Sequence, residues 1–219
     1  MKMFKSKKNQ NLDISFLNKG DINYKQFNSI RTSLNFLNTD KRYKKKYSNL
    51  SITSSIDGEG KSFISINLAL SFARQKKRVL LVDSDLKKFT LSKKFKLSTV
   101  KGLSDYLINN ALNIDNEVHE TKFKNLFLLS AGTKAKDAFE LLGFKNITTL
   151  VDDLSKNFDI VIYDTPSILS VSNARIIPAI VPSILVIRAN YVQKNQTKQS
   201  IGLLNEVHSN LIGTIFNDF

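Results

Sequence analysis

Apolar positions along the chain follow two rhythms. Residues 22–37 (INYKQFNSIRTSLNFL) place Ile22, Phe27, Ile30, Leu34 and Leu37 near one helical stripe, which predicts an amphipathic helix. Leu50, Ile52 and Thr53 then make a strand-like run into a loop with Gly58 and Gly60, and an apolar helical pattern follows. RVLLVDSDL reads as a buried strand ending in two carboxylates, and residues 102–112 as a helix with Gly102 before its start. Further strands are expected at residues 125–130, 159–164, 183–188 and 211–216. Helices are expected at residues 137–154 (one or two), 173–180 and 193–208. Strands that alternate with helices and are apolar along their length predict a parallel sheet covered on both faces. The expected fold class is therefore α/β, a doubly wound, mostly parallel sheet with helices on both faces and its ligand at the carboxyl ends of the strands.

Composition narrows the picture. At 219 residues, with 42% hydrophobic residues and 15 Phe, the chain suits one large domain over residues 22–219, preceded by a polar, basic arm at residues 1–21. It has no cysteine, so disulfides and thiolate metal sites are excluded, which fits a reducing cytoplasm. Its two histidines, His119 and His208, stand far apart and are assigned no role. A net charge of +14 implies an anionic partner such as a membrane surface, nucleic acid or an acidic protein, with solvated lysines as the plain alternative. Basic runs occupy residues 2–8 and 41–46. No apolar stretch approaches the ~20 residues needed to span a bilayer, and residues 9–13 are polar where a signal peptide requires an apolar segment. A soluble or peripherally bound chain is expected.

The chemistry concentrates in the loop Ser55-Ile56-Asp57-Gly58-Glu59-Gly60-Lys61-Ser62 between strand and helix. That context is the one a phosphate-binding P-loop requires, with Ser55 in place of the usual first glycine. Glycines let backbone N–H groups close on phosphate oxygens, and the helix N-terminus adds partial positive charge. Lys61 would reach the β/γ-phosphates and the Ser62 hydroxyl would ligate Mg²⁺. Ser55, Gly58, Glu59, Gly60 and Phe63 complete the expected nucleotide-binding set. Two strands finish in aspartate, one running into Asp83-Ser84-Asp85 and the other into Asp164-Thr165-Pro166. In a parallel sheet both ends reach the edge that carries the P-loop, gathering Asp83, Asp85 and Asp164 around the terminal phosphate and its metal. The alternative is that these aspartates only cap loops.

A P-loop followed by VLLVDSDL and IVIYDTP resembles the CpsD/CapB-type bacterial tyrosine kinases, within the MinD/ParA-like group. The likeness covers about residues 22–219, and the loop matches the kinase pattern S-x-x-P-G-E-G-K-S except for Asp57 in place of proline. The resemblance implies an ATP- and Mg²⁺-dependent protein-tyrosine kinase serving capsular or exopolysaccharide synthesis. It implies Asp83 as the base for the tyrosine hydroxyl, Lys61 and Asp85 as its catalytic companions, and Ser62, Asp85 and Asp164 around the metal. It further implies a membrane-anchored chain-length adaptor as activator, a protein tyrosine substrate, a homo-oligomer, and a cytoplasmic location at the inner face of the plasma membrane. Basic runs would add peripheral contact with anionic lipid, and no specific nucleic acid is expected. Asn217, expected after the last strand, stands where relatives often contact the base, a surface asparagine being the other reading.

Some positions depart from the family pattern. The last tyrosine is Tyr191, so the family's tyrosine-rich tail has no counterpart in this sequence. Lys25, Asn28 and Arg31 stand where the family's upstream helix carries E-x-x-R-x-x-R, which mediates ring assembly. Lys87 replaces an arginine, Ser167 a proline and Asn173 an aspartate, and KAKDA at residues 134–138 a proline-rich stretch. Tyr43 and Tyr47 are conceivable internal targets or ordinary loop tyrosines. Two other readings stay open: a MinD/ParA-like ATPase, whose signature lysine is Ile56 here, and an ATP-binding pseudokinase scaffold.

Overall fold

The computed structural model describes residues 22–39, 47–109, 113–133 and 144–218. Helix α1 (Ile22–Thr39) is followed by strand β1 (Asn49–Ser54), helix α2 (Lys61–Ala73) and strand β2 (Val79–Asp83). Two short helices, α3 (Thr90–Lys94) and α4 (Leu103–Ile108), precede strands β3 (Val118–Glu120) and β4 (Leu126–Leu129). Beyond them come α5 (Phe144–Asn157), β5 (Ile160–Asp164), α6 (Ile176–Ile180), β6 (Ser183–Arg188), α7 (Lys194–Glu206) and β7 (Leu211–Asn217). These strands form one sheet in the order β3-β4-β2-β5-β1-β6-β7. Every pairing is parallel except that of β3 with β4.

Alternation along the buried strands explains the two layers of helices. Val79 and Leu81 of β2, with Ile160 and Ile162 of β5, face a core shared with Phe27 and Leu34 of α1 and Leu68 and Phe72 of α2. Their neighbours Leu80, Val82, Val161 and Tyr163 face the opposite core, closed by Leu103 and Leu107 of α4 and Ile147, Leu150 and Leu154 of α5. Strands apolar on both sides are stable only when both sides are covered, which is the doubly wound arrangement expected. Helix α1 docks on α2 through polar contacts too: the Arg31 guanidinium donates to Ser71 O and Ser71 Oγ across the interface and to Asn28 Oδ1 within α1, each at 2.8 Å.

Some expectations change. The sheet is mostly parallel, as expected, but Val118–Glu120 adds an unforeseen antiparallel edge strand; three residues are too few to show a period of two. Helix α3, of five residues, was hidden for the same reason. The helix expected at residues 102–112 stops at Ile108, with Asn109 extended. Tyr47, in the loop before β1, is not accessible as a target; its side chain is buried in the α1/α2 core. Both long basic runs, Tyr43, residues 134–143 and the arm at 1–21 lie outside the described residues.

Candidate active site

Strand β1 lies between β5 and β6, so the loop that follows it is walled on both sides. Gly58 and Gly60 adopt φ of +88° and +90°, a region costly for side chains. Space forbids one as well. A Cβ on Gly60 would stand 2.2 Å from Asn217 Nδ2, and one on Gly58 2.5 Å from Tyr191 Oη. Those two residues brace the loop from outside: the Asn217 amide donates to Glu59 O at 2.9 Å and the Tyr191 hydroxyl to Asp57 O at 3.1 Å. Arg188 donates to Gly58 O at 3.1 Å and stacks over the Tyr191 ring, 4.8 Å from its centroid.

Glu59, expected in the nucleotide-binding set, could serve there only through its backbone. Its side chain is fully buried and points into the protein, where Oε1 accepts the Ile56 N–H at 2.8 Å and Oε2 the Arg188 N–H at 3.0 Å. A buried carboxylate satisfied by two backbone donors fixes the loop's curvature rather than touching anything bound within it. Asn217 is likewise neither past the last strand nor at the surface; it ends β7 and is buried. Phe63 turns its ring edge-on to Phe27, with centroids 6.0 Å apart, so its side chain belongs to the α1 interface. Ser55 is buried with an unpartnered Oγ.

Lys61 and Ser62 open α2, where helix N–H groups lack intrahelical acceptors. The carboxylates arrive from the neighbouring strands. Asp83 and Asp164 occupy matched positions on β2 and β5, and both are fully buried. Asp164 Oδ1 accepts from Ser65 Oγ at 3.0 Å, the Ser62 side chain lies close enough to favour its charged form, and Oδ2 has no partner. Asp83 Oδ2 accepts both the N–H and the Oγ–H of Ser92 at 2.7 Å, and Oδ1 has no partner. Burial is the chief cause that raises the Asp83 carboxyl to about 7 and the Asp164 carboxyl to about 6. The Lys61 charge opposes the rise at Asp164, and Asp85 adds to it at both. Asp85, also buried, accepts the Lys87 and Lys88 N–H groups at 3.2 and 3.0 Å, which fixes the turn after β2.

This donor set fits a magnesium nucleotide. Two buried carboxylate oxygens without partners are an energetic liability unless a cation or donor meets them. Among the described residues no three acidic or imidazole groups converge as a metal cage, so a metal here would take most of its ligands from phosphate and water. Ser62 and Asp164 would hold it. Sequence reasoning passed over Ser65, one helical turn past Lys61, and Ser92. It also overlooked Arg188, which ends the apolar strand β6, and Tyr191, three residues beyond it.

Relatives share this architecture. The family model described as AAA domain matches residues 48–214. The tyrosine-protein kinase YwqD of Bacillus subtilis is 35% identical over 197 residues, covering 90% of this chain and 81% of that protein. The tyrosine-protein kinase CpsD of Streptococcus agalactiae is 32% identical over 193 residues, covering 87% and 81%. Among solved structures, the chimerical protein CapA2B2 superposes with a TM-score of 0.79 at 27% identity, covering 89% of this chain and 84% of that one. The kinase domain of the Escherichia coli tyrosine kinase ETK has the same TM-score and identity, covering 89% and 74%. The cell division ATPase MinD of Pyrococcus furiosus, at 20% identity and a TM-score of 0.67 over 79% of this chain and 73% of that one, shares the fold alone. The chain belongs to the family of bacterial tyrosine-protein kinases that includes YwqD and CpsD.

Proposed function

We propose that this chain transfers the terminal phosphate of ATP to a protein tyrosine, with Asp83 as the base. The observation that carries the reading is the pair Asp83 and Asp164, buried side by side with one unpartnered oxygen each, beside Lys61 and Ser62. Lys61 and the α2 N-terminus hold the phosphates, and Ser62 with Asp164 holds magnesium. That ion would supply neutralisation of the charge building on the phosphate oxygens. Asp83 accepts the tyrosine hydroxyl proton as the new O–P bond forms and the β–γ bridge opens, leaving phosphotyrosine and ADP. A carboxylate raised to about 7 suits this task near neutral pH, where a substantial share is ionised and that share is basic enough to take the proton. Ser92 fixes its orientation by occupying the other oxygen.

Capsular or exopolysaccharide synthesis is the proposed setting, with a membrane-anchored adaptor as partner and a basic surface that favours anionic lipid. No helix among the described residues is long and apolar enough to cross a membrane. The test incubates the purified chain with labelled ATP, Mg²⁺ and the adaptor's cytoplasmic segment, then blots for phosphotyrosine. Signal that disappears in Asp83→Ala is expected. Equal signal in wild type and variant refutes the assignment, and ATP binding without transfer turns it toward a nucleotide-dependent scaffold.

A further inference from the structure

We propose that Asp57 is a phosphate competitor built into the nucleotide loop, lowering affinity by holding the two lysines that a bound polyphosphate must take over. The inference rests on the nucleotide-site reading above and concerns a position where the family pattern has proline. Three separate elements converge on this one carboxylate. Lys61, from the start of α2, places Nζ 3.7 Å from Asp57 Oδ1. Lys88, from the turn after β2, ion-pairs with Oδ2, and the Ser167 hydroxyl, after β5, donates to Oδ1. Two cations and a hydroxyl around an oxygen pair is the recognition chemistry of a phosphate group.

The placement favours competition over simple bracing. Lys61 is only 7% exposed, so its charge is desolvated and needs an anion close by. Asp57 can serve as that anion because its carboxyl is held down to about 2 by Lys88, Ser167 and Lys61, against the opposing effect of burial. Its side chain is nonetheless 40% exposed and can swing outward. Lys88 is anchored at its own backbone by Asp85 Oδ1, so it stays beside the loop whichever anion it faces. An arriving triphosphate therefore exchanges one anion for another at Lys61 and Lys88, and also meets repulsion from Asp57. Replacing the carboxylate with a neutral isostere removes both costs and leaves the lysines available.

Calorimetry at fixed ionic strength with Mg·ATP tests this on wild type, Asp57→Asn, Asp57→Ser, Lys88→Ala and Lys61→Ala. Asp57→Asn and Asp57→Ser are expected to bind at least tenfold more tightly than wild type, and Lys88→Ala to cost more affinity in the Asp57→Asn background than in wild type. Unchanged or weaker binding by both Asp57 variants, with wild-type circular dichroism and melting, overturns the proposal. If wild type binds ATP and Lys61→Ala abolishes it, the nucleotide site stands whatever Asp57 does. If neither wild type nor the Asp57 variants bind ATP, the nucleotide reading fails and this inference falls with it.

Discussion

Asp83→Asn keeps the shape of a buried side chain and deletes its titration, so it should flatten the pH response of the nucleotide-free protein. In the folded chain burial lifts the Asp83 carboxyl from 3.8 to about 7. Between those values the folded state holds a proton that the unfolded state has released, so stability falls as pH rises through the window. Roughly three pH units at about 1.4 kcal/mol each set a ceiling near 4 kcal/mol, fully expressed above about pH 7. Asparagine has no such dependence. Its carbonyl oxygen can still accept the Ser92 N–H and Oγ–H. Its NH₂ replaces the unpartnered Oδ1 and leaves a buried donor unsatisfied, at a cost of about 1–3 kcal/mol at every pH. The variant is therefore expected to gain about 3 kcal/mol on wild type between pH 5 and pH 8, and to be the more stable protein at pH 8 by about 1–3 kcal/mol. For a domain of this size that advantage is about 3–10 °C in Tm. Phosphotransfer should fall at least ~100-fold, the usual worth of a general base. Urea unfolding in EDTA at both pH values measures the difference. Parallel pH dependence in the two proteins, or wild type gaining stability from pH 5 to pH 8, refutes the reasoning.

Two further perturbations test the scaffold around the site. Gly60→Ala introduces a Cβ that meets Asn217 Nδ2 at 2.2 Å on a backbone held at φ +90°, so the loop must open. Binding of Mg·ADP should weaken at least tenfold while far-UV circular dichroism is retained, since the strain is local (~1–3 kcal/mol); unchanged affinity would contradict the bracing role given to Asn217. Arg31→Ala removes the donors that reach Ser71 of α2 and Asn28 of α1 itself. A loss of about 1–3 kcal/mol in urea unfolding is expected, and a change below about 0.5 kcal/mol would mean that apolar packing alone seats the helix.

Legibility from sequence divides along a physical line. The doubly wound sheet was readable because β2, β5 and β6 are almost uniformly apolar, and their bounding turns fall where the pattern breaks. The convergence of Asp83 and Asp164 was readable for the same reason, since both directly follow such runs in a parallel sheet. What escaped are hydrogen bonds between segments remote in sequence. The Asn217–Glu59 contact spans 158 positions, and its existence depends on β1, β6 and β7 being adjacent, an order that no local periodicity encodes. The direction of the Glu59 side chain was equally hidden, because a glutamate in a glycine-rich loop reads the same whether it points outward to solvent or inward to two amide hydrogens.

Asp57 marks the boundary between those two kinds of information. Its departure from the kinase pattern is visible in the sequence, but the consequence is not, because it turns on which cations the topology brings to the loop. β5 lies between β1 and β2, so the turn after β2 is carried to the same sheet edge as the phosphate loop, and Lys88 comes with it. With a neutral residue at that position the two lysines would face the ligand unopposed; with a carboxylate there, the site begins with an anion already in its grip. A substitution that would be ordinary on a surface loop thus becomes a control on nucleotide affinity, through the strand order rather than through the residue's own neighbours in sequence.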